Sequence, residues 1–290
     1  MKIILTGATG FLGRYVYQKL SESNQVYVIS RKSPLGRLWY QADILNHKET
    51  GKIVENIGAD VLVHLAWDVT HGEFWNSPQN TAYVEASKYL FDSFLKGGGK
   101  KIISAGTCAE YPTSDRAISE DALYKGELTP YGYAKREVYD YLKSAQQNSQ
   151  LDFTWLRIFG IYGPGENEQR FFPKAIRHIK YNIPFEIKTP DCFMDYVYVK
   201  DVASFINSCV EGCGLGAINV GTGNSISLLD LYNTLKTYME TEQFKMFQDI
   251  DKPNLSSRIP DCKKIKENGF YFNLNQGFSD TVHYFSKDVT

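Results

Sequence analysis

Tyr131 and Lys135 stand four residues apart in "TPYGYAKREVYDYL", a spacing that puts both on one face of a helix. A phenol ordinarily titrates at about 10 and needs a neighbouring cation to exchange its proton at neutral pH. A lysine one turn away supplies that cation, so Tyr131 is a candidate general acid–base and Lys135 its activator. Tyr133, two residues on, has no lysine at the same spacing. Thr107, in "SAGTCAEYP" at the end of an apolar run, is the third candidate. Its hydroxyl can hold the substrate oxygen that gains or loses the proton. Together the three suit hydride transfer at a carbonyl or an alcohol.

Hydride transfer needs a carrier, and the start of the chain offers a place for one. "LTGATGFLGRYVYQKL" sets Gly7, Gly10 and Gly13 after a strand-like run and into the opening of a helix, with Thr9, Phe11 and Leu12 completing the candidate cofactor loop. Such a turn lets backbone N–H groups approach a pyrophosphate at a positive helix end. The spacing points to a bound dinucleotide, with Lys135 also holding the nicotinamide ribose. At the end of the second strand-like run, a carboxylate would bond the adenosine ribose 2′-OH. Ser30, Arg31 and Lys32 stand there instead. A hydroxyl beside a guanidinium suits a 2′-phosphate, so NADP is expected over NAD.

Gly7-x-x-Gly10-x-x-Gly13, "HLAW" (64–67), Thr107 and Tyr131-x-x-x-Lys135, in that order, resemble the extended short-chain dehydrogenase/reductases, a group of nucleotide-sugar epimerases, dehydratases and reductases. "IYGPGE" (161–166) and "NVGTGNSISLLDL" (219–231) resemble the second half of the same group, so the likeness spans nearly the whole chain. The resemblance implies Asp43 at the adenine edge and Ile44 against the ring, although Asp43 equally suits an N-cap for the next helix. It also implies Leu65 and Ala66 lining the ribose side, with His64 packed beneath the loop. The implied substrate is a nucleotide sugar, lined by Thr107 and Cys108. Arg170 in "NEQRFFP" and Arg258 in "SSRIPD" are candidate partners of its diphosphate, or plain surface arginines.

Departures from the group narrow the reaction. The 4,6-dehydratases carry Asp-Glu directly after the threonine, because water elimination needs both an acid and a base. Cys108 and Ala109 stand here, and Glu110 falls in a different slot. The 3,5-epimerising reductases use a cysteine with a histidine; Cys108 is one place early, and "YGPGENEQR" has no histidine. Met194 and Gly160 replace a common arginine and asparagine. What remains is hydride transfer at a carbonyl, as net reduction or as reversible 4-epimerisation, and Ser30 with Arg31 tips the expectation toward NADPH-dependent reduction of a nucleotide-linked 4-keto-deoxyhexose. The alternative is a 4-epimerase holding NAD tightly. A non-catalytic dinucleotide-binding protein is disfavoured, since Thr107, Tyr131 and Lys135 are all present.

These residues need a frame. Apolar runs at 2–7, 25–30, 60–66, 100–106 and 151–158 alternate with helical spacing at 11–22, 44–57, 80–96 and 131–148. The alternation predicts an α/β fold: a Rossmann-type, doubly wound parallel sheet with a smaller C-terminal substrate-binding region. The dinucleotide-binding domain is expected over 1–160 and the smaller region over 161–290, with the ligand cleft between them. Segments near 193–223 are expected to return to the edge of the first sheet. Trp67 and Trp75 are expected to wall the sugar pocket or to pack, and Tyr83, Tyr89 and Phe91 to be helix core or interface.

Composition excludes other classes. Thirty-two basic and 33 acidic residues, a net charge of −1 and no basic block argue against a nucleic-acid partner. No apolar run approaches the roughly 18 residues of a membrane span, and with the first strand expected from Lys2 no signal peptide is expected. Five cysteines without a Cys-x-x-Cys pair suit reduced thiols in a cytoplasmic protein, and Cys209 and Cys213 lack a histidine for a metal site. The helices at 80–96 and 131–148 offer a surface for a homodimer.

Overall fold

The computed structural model describes residues 1–32, 36–114, 116–122, 126–241, 257–272 and 274–287. In chain order its main elements are β1 (Lys2–Thr6), α1 (Phe11–Ser21), β2 (Gln25–Ser30), β3 (Trp39–Gln41), α2 (His47–Ile57), β4 (Val61–His64), α3 (Gln79–Lys96), β5 (Lys101–Thr107), α4 (Pro130–Asn148) and β6 (Asp152–Ile158). There follow β7 (Gly160–Tyr162), α5 (Phe171–Lys180), β8 (Phe193–Tyr198), α6 (Val199–Glu211), β9 (Gly216–Val220), β10 (Ser225–Ser227) and α7 (Leu228–Thr241).

A seven-stranded sheet has the order β3-β2-β1-β4-β5-β6-β9. The pairs β3–β2, β2–β1, β1–β4 and β4–β5 run parallel. Ile3, Ile4, Leu5, Val61, Leu62, Val63, Ile102 and Ile103 are all buried. Strands apolar on both faces need helices on both sides. Each such side chain contributes about 1.5–3 kcal/mol, against about 0–1 kcal/mol for an exposed ion pair, so the central strands decide the fold. The strand order reverses between β1 and β4. In open α/β sheets the crevice beyond the strand ends at that point is where ligands bind.

Local sequence explains how α4 presents its residues. Thr129 caps the helix, its hydroxyl accepting the Gly132 N–H at 3.1 Å, and Pro130 takes the first position, where no N–H is needed. Tyr131, Ala134, Lys135, Val138 and Leu142 form the buried face. A Cβ on Gly132 would stand 2.3 Å from the Ala109 carbonyl oxygen, so only glycine lets α4 lie against the 3-10 turn Cys108–Glu110 that follows β5.

The chain divides into two compact units, one of residues 1–110, 127–157 and 202–218, the other of 111–126, 158–201 and 219–290. In the second, β8 lies between β7, which it pairs in parallel, and antiparallel β10. This corrects one expectation: residues 193–198 do not return to the first sheet, because β8 is bonded on both edges within its own. Residues 216–220 do take that place, as β9 beside β6. Asp195 ties the second unit's sheet to the following loop, accepting the N–H groups of Thr222 at 2.8 Å and Gly223 at 2.7 Å. Among the described residues no helix is long and apolar enough to cross a membrane.

Candidate active site

The glycine loop joins β1 to α1, and its three glycines have three reasons. Gly7 has φ +78°, and a Cβ there would stand 2.7 Å from the Ala66 nitrogen and the Leu65 carbonyl carbon. A Cβ on Gly13 would meet the Gly7 oxygen at 1.9 Å, so this glycine lets helix and loop touch. Gly10 has ordinary extended backbone (φ −79°), and its Cβ would have one neighbour, the Gly7 oxygen at 3.3 Å. Mild crowding alone does not demand glycine here. What glycine does at this N-cap is leave the helix start bare: no side chain caps it and no acid lies in its first turn. An uncapped, acid-free helix start flanked by Thr9, Phe11 and Leu12 fits an anionic pyrophosphate.

Beneath the loop, Thr6 Oγ1 accepts the Ala66 N–H at 3.3 Å and donates to His64 Nδ1 at 2.7 Å. Ser87 Oγ, which donates to the Tyr83 carbonyl at 2.7 Å, accepts from His64 Nε2 at 3.0 Å. The chain of donors requires the neutral Nε2–H tautomer. Burial, with the Lys135 charge adding to it, lowers the His64 pKa to about 3. His64 therefore braces the two strand ends and exchanges no proton near neutrality.

At the adenosine end, Ser30 is buried and its hydroxyl accepts the Lys32 N–H at 3.1 Å, while Arg31 is exposed. Asp43 Oδ1 accepts the Leu45 N–H at 3.0 Å, closing an Asx turn. The helix cap falls on Asn46 and not on Asp43, because α2 begins only at His47. Ile44 is buried with Tyr83 and Ala86, and Leu65 and Ala66 are half-buried just past β4. Burial pushes the Tyr83 phenol up, while the Arg31 charge pulls it down.

Thr107, Tyr131 and Lys135 are all buried. Thr107 ends β5, and its Oγ1 accepts the Ala109 N–H at 3.2 Å, which leaves the hydroxyl proton to donate. Lys135 Nζ donates to the Ala105 carbonyl at 2.9 Å, so α4 is fastened to the strand that carries Thr107. Burial pulls the Lys135 ammonium down to about 7, and the Glu110 charge opposes it. Lys135 Nζ also lies 3.8 Å from the centroid of the Trp67 ring. Trp67, Phe74 and Trp75 stand edge-on around Tyr131, with centroids at 6.2, 4.9 and 5.9 Å. Asn80 pins this wall, accepting from Trp67 Nε1 at 3.0 Å and donating to the Phe74 carbonyl at 2.8 Å. Sequence reasoning passed over Asn80; its only signal was a polar residue on the buried side of a predicted helix. Glu110 is fully buried against Trp155 and Arg157, which closes the option of an acid at that slot. Cys108, beside it, is half-buried.

The two candidate arginines lie in the second unit. Arg170 Nε pairs with Glu166 Oε1 at 2.7 Å, and Arg258 Nε donates to the Tyr111 carbonyl at 2.7 Å. Arg258 also forms a backbone bridge with Met194, the position that departs from the expected arginine. A Cβ on Gly160, the other departure, would stand 2.6 Å from the Asp195 carbonyl oxygen, so the approach of β7 to β8 requires glycine. Tyr89 is partly exposed and stacks on His47, whereas Phe91 is wholly buried.

A sequence model of the NAD dependent epimerase/dehydratase family matches residues 3–221. The dTDP-4-dehydro-6-deoxyglucose reductase of Escherichia coli is 27% identical over 286 residues, covering 90% of this chain and 89% of its own. Among solved structures, UDP-glucose 4-epimerase of Thermotoga maritima with UDP-glucose has a TM-score of 0.82 at 24% identity, over 98% of each chain. UDP-glucuronic acid 4-epimerase of Bacillus cereus, in complex with UDP-glucuronic acid and NAD, has a TM-score of 0.81 at 22% identity, over 98% of this chain and 99% of its own. These likenesses establish the Rossmann-type fold.

Proposed function

The chain belongs to the NAD dependent epimerase/dehydratase family, and on that premise we propose that it reduces a nucleotide-linked 4-keto-deoxyhexose with NADPH. It is an NAD(P)-dependent enzyme of the extended short-chain type, acting on a nucleotide sugar. The reduced nicotinamide, when bound, supplies a hydride to the sugar C4. Thr107 donates a hydrogen bond to the C4 oxygen and fixes the carbonyl plane. Tyr131 gives that oxygen its proton, and Lys135, as a cation, stabilises the phenolate left behind. Lys135 also holds the nicotinamide ribose, the bare start of α1 holds the pyrophosphate, and Arg170 and Arg258 meet the substrate's diphosphate.

One observation carries the choice of net reduction: the end of β2 offers Ser30 and Arg31 where a carboxylate would select the 2′-OH of NAD. The 27% identical relative is named as a 4-keto-deoxyhexose reductase, which supports the same reading. A second reading, a 4-epimerase that keeps NAD and returns the hydride, is favoured by the solved structures, which are epimerases, one of them in complex with NAD.

The deciding experiment compares NADPH and NADH with a 4-keto-6-deoxyhexose nucleotide. Stoichiometric consumption of NADPH is expected, with kcat/KM higher than for NADH by about ten- to a hundredfold, the worth of one charge-assisted hydrogen bond. Ser30→Asp with Arg31→Asn should reverse that preference. In deuterated water the product should carry no solvent deuterium at C3 or C5, and Cys108→Ser should stay within a few-fold of wild type. Protein that arrives with unexchangeable NAD and interconverts 4-epimers would replace the reductase with the epimerase.

A further inference from the structure

We infer that Glu110, held by Trp155 and Arg157, is a positioning residue that fixes the end of β5 so that the Thr107 hydroxyl meets the substrate oxygen. The inference rests on the proposed role of Thr107.

Glu110 closes the 3-10 turn that follows β5, and its side chain folds back under the strand it has just left. Its Oε1 accepts the Thr107 backbone N–H at 2.8 Å and Trp155 Nε1 at 2.9 Å. Its Oε2 accepts Arg157 Nε at 2.8 Å and Trp155 Nε1 at 3.0 Å. Glu110 is 0% exposed and Arg157 1%. The guanidinium carbon lies 4.9 Å from the Tyr139 ring centroid, so an aromatic face covers the cation. Room is made for the clamp in the strand itself: a Cβ on Gly106 would stand 2.3 Å from Trp155 Nε1 and 2.6 Å from Glu110 Oε1.

Stability does not account for a charged pair at this place. Desolvating two ions consumes most of their attraction, and an apolar pair of similar volume is commonly as stable or more so. What valine or leucine cannot do is accept the Thr107 N–H. With Glu110 holding the Thr107 backbone and the Ala109 N–H holding its Oγ1, the hydroxyl proton is left to point at a ligand. The same turn receives α4 at Gly132, so the clamp also sets the height at which Tyr131 stands. Rate depends steeply on such placement: a 1 Å displacement can cost about 100-fold.

Two double variants, each removing both charges, separate positioning from stability. Glu110→Val with Arg157→Met keeps an apolar core but gives the Thr107 N–H no acceptor. Glu110→Gln with Arg157→Met keeps the acceptor and buries an amide N–H without a partner. The valine variant leaves both the Thr107 N–H and Trp155 Nε1 without an acceptor, so it should have the lower Tm of the two. At a temperature where it is folded, its KM for NADPH should be unchanged and its kcat lower by about 100-fold. The glutamine variant keeps an acceptor for both donors and should recover kcat to within about tenfold of wild type. A merely structural clamp lowers the folded fraction without lowering kcat per folded molecule at an unchanged NADPH KM. Wild-type kcat per folded molecule in the valine variant, or an NADPH KM that rises as kcat falls, would overturn the inference. If the valine variant does not fold, the glutamine variant decides alone: a folded protein slower by more than about 100-fold refutes the positioning role, and one within tenfold supports it. Should wild type interconvert 4-epimers without consuming NADPH, the reductase reading fails by itself. The same variants then test the clamp on the epimerisation rate.

Discussion

Among the described residues each compact unit buries one glutamate, and the two are treated differently. Glu110, in the first, has N–H donors on both oxygens, one of them the Arg157 guanidinium. Glu166, in the second, pairs Oε1 with Arg170 Nε, while Oε2 is buried with no hydrogen-bond partner among the described residues. Burial pushes both carboxyls up. Against it stand Arg157, the Thr107 N–H and Trp155 for Glu110, but only the half-exposed Arg170 and the Gly163 N–H for Glu166, which reaches about 7. A buried carboxyl is therefore no sign of catalysis in itself; what it signals depends on how many donors meet it. Both oxygens of Glu110 are met without a ligand, and one oxygen of Glu166 is not.

The largest expected effect tests the fully met carboxyl. Glu110→Gln alone leaves Arg157 buried without a counter-charge, which should destabilise the protein by about 3–5 kcal/mol in denaturant unfolding. A loss below about 1 kcal/mol would mean that the clamp is looser than its geometry. Next comes the chemistry the clamp supports. Tyr131→Phe keeps the ring that Trp67, Phe74 and Trp75 surround, so Tm and NADPH affinity should hold while kcat falls by about 100-fold or more. Turnover within a few-fold of wild type would remove Tyr131 from the mechanism.

The sequence shows the parts whose reasons are local. The glycine spacing, the Tyr131–Lys135 pair and the apolar runs of β1, β2, β4, β5 and β6 each follow from a few neighbouring residues. The parts it hid depend on partners far along the chain. Glu110 reads as a loop residue until Trp155 and Arg157, 45 and 47 positions later, fold over it. Residues 193–198 read as a buried strand, but nothing local says whether β6 or β7 will pair with it. Asp43 and Asn46 are both good caps by type, and only the start of the helix chooses between them. Gly160 looks like a lost asparagine until the Asp195 carbonyl is seen to occupy the space.

Glu166 offers the sharpest break between the two units, because its substitution should act in the opposite direction. Its folded-state pKa, about 7, lies above the ordinary carboxylate range, so between pH 4.5 and 7 the folded protein binds this proton more tightly than the unfolded chain. Stability contributed by the group is present below that window and lost as the pH rises through it. Glutamine stays neutral throughout and mimics the protonated acid. Glu166→Gln should therefore be more stable than wild type by about 1–3 kcal/mol at pH 8, with the gain shrinking toward zero by about pH 4. Arg170 loses its partner, but its side chain is 39% exposed and water takes over much of the bond. Urea unfolding of both proteins at pH 4.5, 6 and 8 reads the slope directly. If the variant is instead less stable at pH 8, Glu166 is as well served as Glu110, and the contrast between the two units falls.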